Sequence, residues 1–220
     1  MSELPGFSGF PPAVFAWFEG LEADNSRAYV QRTRDVLDGP VRDGMEALLD
    51  ELAGEEFGPE VKLFRQHRDL RFSRDKSPYK TRTYGLVHGG AHAHYAELSA
   101  RGLYAGTGFY RPERETLARF RAAVLDDGTG PELEALVAQA RGAGLEVEGA
   151  TLRSAPRGVP RDHPRVALLR HTSLILGRRL APGATGIGRE AALGHAADTW
   201  RAAAPVLGWV DRTVGRPATG

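Results

Sequence analysis

The chain predicts an α+β protein with a mostly antiparallel sheet flanked by N-terminal and C-terminal helices. Three observations carry this expectation. Apolar residues recur at helical spacing through roughly the first fifty positions and again toward the C-terminus. Between these stretches, short runs alternate apolar and polar residues as half-buried strands do. Neither a Pro/Gly/Ser-rich linker nor a repeat of roughly 20–50 residues divides the chain, so residues 1–220 are expected to form a single domain with its core at 7–212.

Val14, Trp17, Phe18 and Leu21 lie at i, i+3, i+4 and i+7, the spacing of an amphipathic helix that starts through Pro11 and Pro12. Asp24, Asn25 and Ser26 offer caps for a second helix running toward Leu37, which Gly39 and Pro40 are expected to break. Met45, Leu48, Leu49 and Leu52 predict a third helix ending at Gly54. From Val61 the pattern changes. Leu70 and Phe72 alternate with Asp69 and Arg71, so a strand here would set apolar groups on one face and an ion pair on the other. Ser77-Pro78 marks a turn. Strands are expected at Tyr84 to Val87, Tyr95 to Ser99 and Leu103 to Tyr110, the last two joined by the hairpin signal Ala100-Arg101-Gly102. Helices follow through Leu117, Phe120 and Val124, and through Leu133, Leu136, Val137 and Ala140. Leu145 to Leu152 and Thr172 to Leu176 read as strands. Ala196, Trp200, Ala203 and Leu207 share one face of a final helix, with a kink or restart expected at Pro205.

Composition narrows the function classes. The 220 residues carry a formal net charge of only +1, so attraction to an anionic partner has to be local. Cysteine is absent, which excludes disulfides, thiolate nucleophiles and Cys-ligated metals. No run reaches the roughly 18 apolar residues of a membrane helix, and the first residues lack the pattern of a signal peptide. The expectation is a cytoplasmic protein with no membrane partner.

One segment departs from this balance. Between Arg65 and Arg82 the chain reads RQHRDLRFSRDKSPYKTR, with seven Arg or Lys residues against Asp69 and Asp75. Such a cluster is solvated, paired internally, or holds an anion. Guanidinium groups bind phosphate or carboxylate as a bidentate fork, and lysine acts as a mobile point charge. Arg68, Arg71, Ser73, Lys76, Ser77, Tyr79 and Lys80 form the candidate binding set. Asp69, Asp75 and Tyr79 are candidates for proton transfer. In the alternative reading, Asp69 and Asp75 neutralise the arginines in an internal network that holds the loop.

Arg68 to Thr81, RDLRFSRDKSPYKT, resembles the signature of the domain of unknown function 2461 family, which typically runs close to RDTRFSKDKSPYKT. Leu70 stands where Thr is usual, and Arg74 where Lys is usual. FAWFEGLEADNSR, from Phe15 to Arg27, resembles the family's N-terminal helix ending in Asn-Asn-Arg, with Asp24 in place of the first Asn. GTGFYRP, from Gly106 to Pro112, and PRGVPRDHP, from Pro156 to Pro164, resemble two further elements of the family, with Val159 where an aromatic is expected. The resemblance implies an α+β domain and supplies no activity. It favours the signature's charged residues as site residues, and its Pro-Arg-Gly element adds Arg157 to the binding candidates.

Elsewhere, His88, His92 and His94 sit in HGGAHAHY, where His-x-His on a strand can chelate zinc, but no third ligand is evident and no metal site is assigned. Asp162 is expected to cap a following helix, and His163 becomes the best general-base candidate if this loop folds back near Lys76 and Lys80. Gly186-Ile187-Gly188-Arg189-Glu190-Ala191 formally fits GxGxxA, but a loop of roughly ten residues separates it from the preceding strand and the region that follows reads as helix where a dinucleotide fingerprint needs a second strand, so it reads as a flexible start to a helix and no cofactor-binding residue is assigned. The leading functional expectation is a phosphorylated or otherwise anionic small molecule held by the basic loop from Arg68 to Thr81, with catalysis left open. Nucleic acid bound through the same loop, with Phe72 or Tyr79 stacking on bases, is the second. A scaffold with an internal ion network is the third.

Overall fold

The computed structural model describes residues 6–69, 71, 75–90 and 92–215. The architecture is α+β, as expected. The elements in chain order are β1 (Gly9–Phe10), α1 (Pro12–Ala23), α2 (Arg27–Arg32), α3 (Arg34–Val36), a π-helical turn (Leu37–Asp43), α4 (Gly44–Leu52), β2 (Glu60–Leu63), β3 (Arg82–His88), β4 (His94–Ser99), β5 (Gly102–Phe109), α5 (Arg114–Leu125), α6 (Thr129–Gly142), β6 (Glu146–Glu148), α7 (Val166–Leu169), β7 (Leu174–Leu180), β8 (Ile187–Gly188) and α8 (Arg189–Thr213). Six strands form an antiparallel sheet in the order β2-β3-β4-β5-β7-β6, and β1 pairs with β8. The chain clusters into two compact units, residues 1–105 with 179–198, and 106–178 with 199–220.

The first unit is built on the alternation of β3. Thr83, Gly85 and Val87 are buried, while Arg82, Tyr84, Leu86 and His88 lie on the more open face. The buried face packs on α4. A Cβ at Gly85 would lie 2.4 Å from Leu49 Cδ1 and 2.8 Å from the Lys62 carbonyl oxygen, so only glycine lets helix and strand approach this closely. Val14, Phe15, Trp17, Phe18 and Leu21 of α1 are buried, which is the face the sequence spacing predicts. Ser26 caps α2 by accepting the Tyr29 N–H at 3.1 Å.

The second unit has its own core. Phe109, Phe120, Val124, Leu133, Val137, Leu174, Leu176, Trp209 and Val210 are all buried in one cluster. Phe120 and Trp209 meet edge to face with centroids 6.1 Å apart.

Four elements differ from the sequence expectation. Gly39 and Pro40 do not end the helical run but sit inside the π-helical turn. The wider turn moves the carbonyl that a proline ring would strike and asks no N–H of Pro40. Pro205 lies inside α8, on an exposed face, and the helix does not restart there but continues to Thr213. The strand expected over Leu145 to Leu152 is only three residues long, because Gly149 turns to φ +114° before Thr151 resumes a single bridge to His171. Ile187–Gly188, read as a flexible helix start, is an ordered strand paired with Gly9–Phe10.

Candidate functional site

The basic segment begins where β2 ends and returns to the sheet as β3. Its base is a short antiparallel ladder: the Lys80 N–H donates to the Gln66 carbonyl at 2.9 Å, the Arg68 N–H donates to the Pro78 carbonyl at 3.0 Å, and His67 pairs with Tyr79. Two amide side chains lock this base. Gln66, 3% exposed, donates to the carbonyls of Lys80 and Arg82 and accepts the Thr83 hydroxyl at 2.7 Å. Asn25, between α1 and α2, donates to the Tyr79 carbonyl at 3.1 Å and accepts the Tyr79 N–H at 3.0 Å. The second sequence candidate for a helix cap is therefore spent on the loop, and Ser26 does the capping.

Each acid in the segment takes one arginine. Asp75 pairs with Arg68 and accepts the Ser77 N–H at 2.9 Å through its other oxygen, an Asx turn that leads into Ser77-Pro78. Hydrogen bonds from Ser77 and then Arg68 hold the Asp75 carboxyl well below the usual carboxylate range. Asp69 accepts the Arg71 guanidinium at 2.6 Å, and Arg71 lowers its pKa from 3.8 to about 2. This pair is open to solvent, the Arg71 side chain being 78% exposed. The apolar partners expected beside it, Leu70 and Phe72, lie outside the described residues, as do Ser73 and Arg74.

Beside the ladder opens a cleft of about 340 Å³. Arg68, Lys80 and Arg82 bring positive charge to its wall, Glu22 and Asp75 negative charge, and Ser77, Tyr79 and Thr81 hydroxyls. Lys80 Nζ donates to the Arg65 carbonyl at 2.6 Å and stands 4.7 Å from the Tyr84 ring centroid. Tyr79 is only 6% exposed, with its ring against His67 at 4.8 Å, so it is a wall of the cleft and offers no open face to a base. Of the sequence candidates, Arg68, Asp75, Ser77, Tyr79 and Lys80 meet at the cleft. Asp69 and Arg71 face solvent, and Lys76 is exposed on the loop without lining the cleft.

Arg157 and His163 belong to the second unit. Arg157 is exposed in the segment before α7. The expected side-chain cap is not formed: Arg165 is the N-cap of α7, and its own N–H donates to His163 Nδ1 at 3.1 Å. That bond engages Nδ1 with the backbone of the next turn. Of the histidines in the HGGAHAHY run, His88 Nδ1 sits 3.3 Å from Glu60 Oε2, and His94 is buried with its ring 5.3 Å from that of Phe57. Among the described residues no group of three His, Asp or Glu could hold a metal ion.

Sequence reasoning passed over Asn25 as a clamp, Arg82 as a cleft residue, and Glu97 and Arg179 behind it. Glu97 is 7% exposed. Its carboxylate accepts the Tyr95 hydroxyl at 2.7 Å and pairs with Arg82 at 3.4 Å and Arg179 at 3.2 Å. Asn25 carried a signal, since it lies in the Asp-Asn-Ser-Arg stretch. Glu97 carried none, because its partners depend on strand register.

Fold and cleft together define an α+β protein with a polar cleft, lined by residues of both charges, at a strand-end loop. A family model described as conserved hypothetical protein (DUF2461) matches residues 13–209, and the chain belongs to this family. No curated protein and no solved structure matches it.

Proposed function

We propose that the cleft binds a phosphorylated or otherwise anionic small molecule. The observation that carries the reading is the meeting of Arg68, Lys80 and Arg82 with the Ser77 and Thr81 hydroxyls around one cavity of about 340 Å³, a volume suited to a small ligand. Arg82 supplies a fork and Lys80 a point charge, the two donor geometries that oxyanions take. Asp69 and Asp75 are ionised at neutral pH and serve as counter-charges to arginine, so neither is a general acid there. Nucleic acid is less well served: Tyr79 is buried, and Phe64 and Tyr84 stack on each other at 4.8 Å. No helix among the described residues is long and apolar enough to cross a membrane. Absence of cysteine suits a reducing compartment, and a cytoplasmic location is part of the reading.

The test is a thermal-shift titration with inorganic phosphate, nucleotides, sugar phosphates and coenzyme A, beside the Lys80→Ala/Arg82→Ala double variant. A ligand at a hundred times its Kd stabilises by about 2.7 kcal/mol, which for a chain of this size raises Tm by about 5–10 °C. A saturable rise lost in the variant is the expected result. No rise with any of these anions refutes the proposal.

A further inference from the structure

The geometry points to Glu97 as the positioning residue of this anion site: a buried carboxylate that grips Arg82 by Nε and turns its two terminal amines toward the ligand. The inference rests on the anion-binding reading above and goes beyond it by assigning the site a second layer. β3 and β4 pair in a register that sets Arg82 opposite Ser99 and Tyr84 opposite Glu97, so Arg82, Tyr84, Tyr95, Glu97 and Ser99 share one face. On that face the contact from Arg82 to Glu97 is made by Nε, at 3.4 Å to Oε2, while the Arg82 side chain stays 57% exposed and lines the cleft. Tyr84 lies under the guanidinium with 5.8 Å from its carbon to the ring centroid, which restrains the plane.

Glu97 is itself held from two more sides. The Tyr95 hydroxyl donates to Oε2 at 2.7 Å, and Arg179 Nη2 donates to Oε1 at 3.2 Å while its Nη1 reaches Ser99 Oγ at 3.3 Å. A carboxylate with 9% of its side chain exposed, bound by a hydroxyl and a second arginine, has few ways to move. Arg179 answers its charge inside, so the attraction of Arg82 for an outside anion is not spent on Glu97 alone. An arginine fixed at Nε presents a planar two-pronged donor that matches phosphate or carboxylate, which a lysine at position 82 could not reproduce.

The experiment measures phosphate affinity by calorimetry for the wild type, Glu97→Gln, Arg82→Ala, the double variant and Arg82→Lys, with the Arg82 Nε–H signal followed by NMR in the absence of ligand. Glu97→Gln is expected to weaken binding about 3–10-fold, and in the Arg82→Ala background to change it less than about twofold, because its effect passes through Arg82. Arg82→Lys, an exposed substitution that keeps the charge, is expected to lose about as much as Arg82→Ala. The Nε–H signal should be sharp in the wild type and broadened in Glu97→Gln. Equal losses from Glu97→Gln with and without Arg82, wild-type affinity in Arg82→Lys, or an unchanged Nε–H signal would each overturn the assignment. A wild type that binds no phosphate overturns the anion site itself, and this inference with it.

Discussion

Replacing Asn25 should loosen the candidate site without touching any charge. Its amide makes both hydrogen bonds available to the Tyr79 backbone, at 3.0 and 3.1 Å, and Tyr79 is 6% exposed. In Asn25→Ala the Tyr79 N–H and carbonyl lose these partners together. A net hydrogen bond contributes about 1 kcal/mol, and an abandoned buried polar group costs about 1–3 kcal/mol, so with partial access of water the expected loss is about 2–3 kcal/mol. For a chain of this length that lowers Tm by about 4–12 °C. Urea unfolding and thermal melts give both numbers. Asn25→Asp keeps an acceptor for the Tyr79 N–H but loses the donor to the Tyr79 carbonyl, so it too should melt below wild type. An Asn25→Ala Tm within about 1 °C of wild type would refute the clamp and the reasoning that hangs the loop on it.

Two other perturbations separate the roles of nearby groups. His94 is held neutral by burial, its pKa lowered from 6.5 to about 4, so the unfolded chain binds the extra proton between these values and stability falls with pH across that window. From pH 7 to 4.5 the contribution is about 2–3 kcal/mol, read from urea midpoints, and His94→Gln should flatten the slope; a variant with the wild-type slope would assign the loss elsewhere. Asp69→Asn removes an ion pair whose arginine is mostly in solvent, so Tm at neutral pH should stay almost unchanged and phosphate affinity should hold, whereas a large drop in Tm would revive the internal network.

The period of apolar residues located α1, α4, α5 and α6 and the strands β3 to β5, because burial of one face imposes its spacing whatever the partner is. The density of charge between Arg65 and Arg82 marked the cleft for the same reason: seven cations in eighteen residues demand a physical account. Other features were invisible at that level. Gly39-Pro40 read as a break and Pro205 as a kink or restart, yet a π-helical turn holds the first pair and α8 continues past the second. Asn25 offers the same amide to a helix end as to a strand, and only the approach of Tyr79, 54 positions away, decided its use. The bond that His163 Nδ1 accepts from the Arg165 N–H had no signal in the sequence either. Glu97 shows the limit most clearly. Local sequence determines which residues can form a strand and which way alternate side chains face, but register sets who stands opposite whom, and register is settled by long-range packing. Composition and period thus determined the fold class and the charge of the loop. Tertiary structure alone decided which of those charges meet, which are answered inside the protein, and which remain turned toward the cleft.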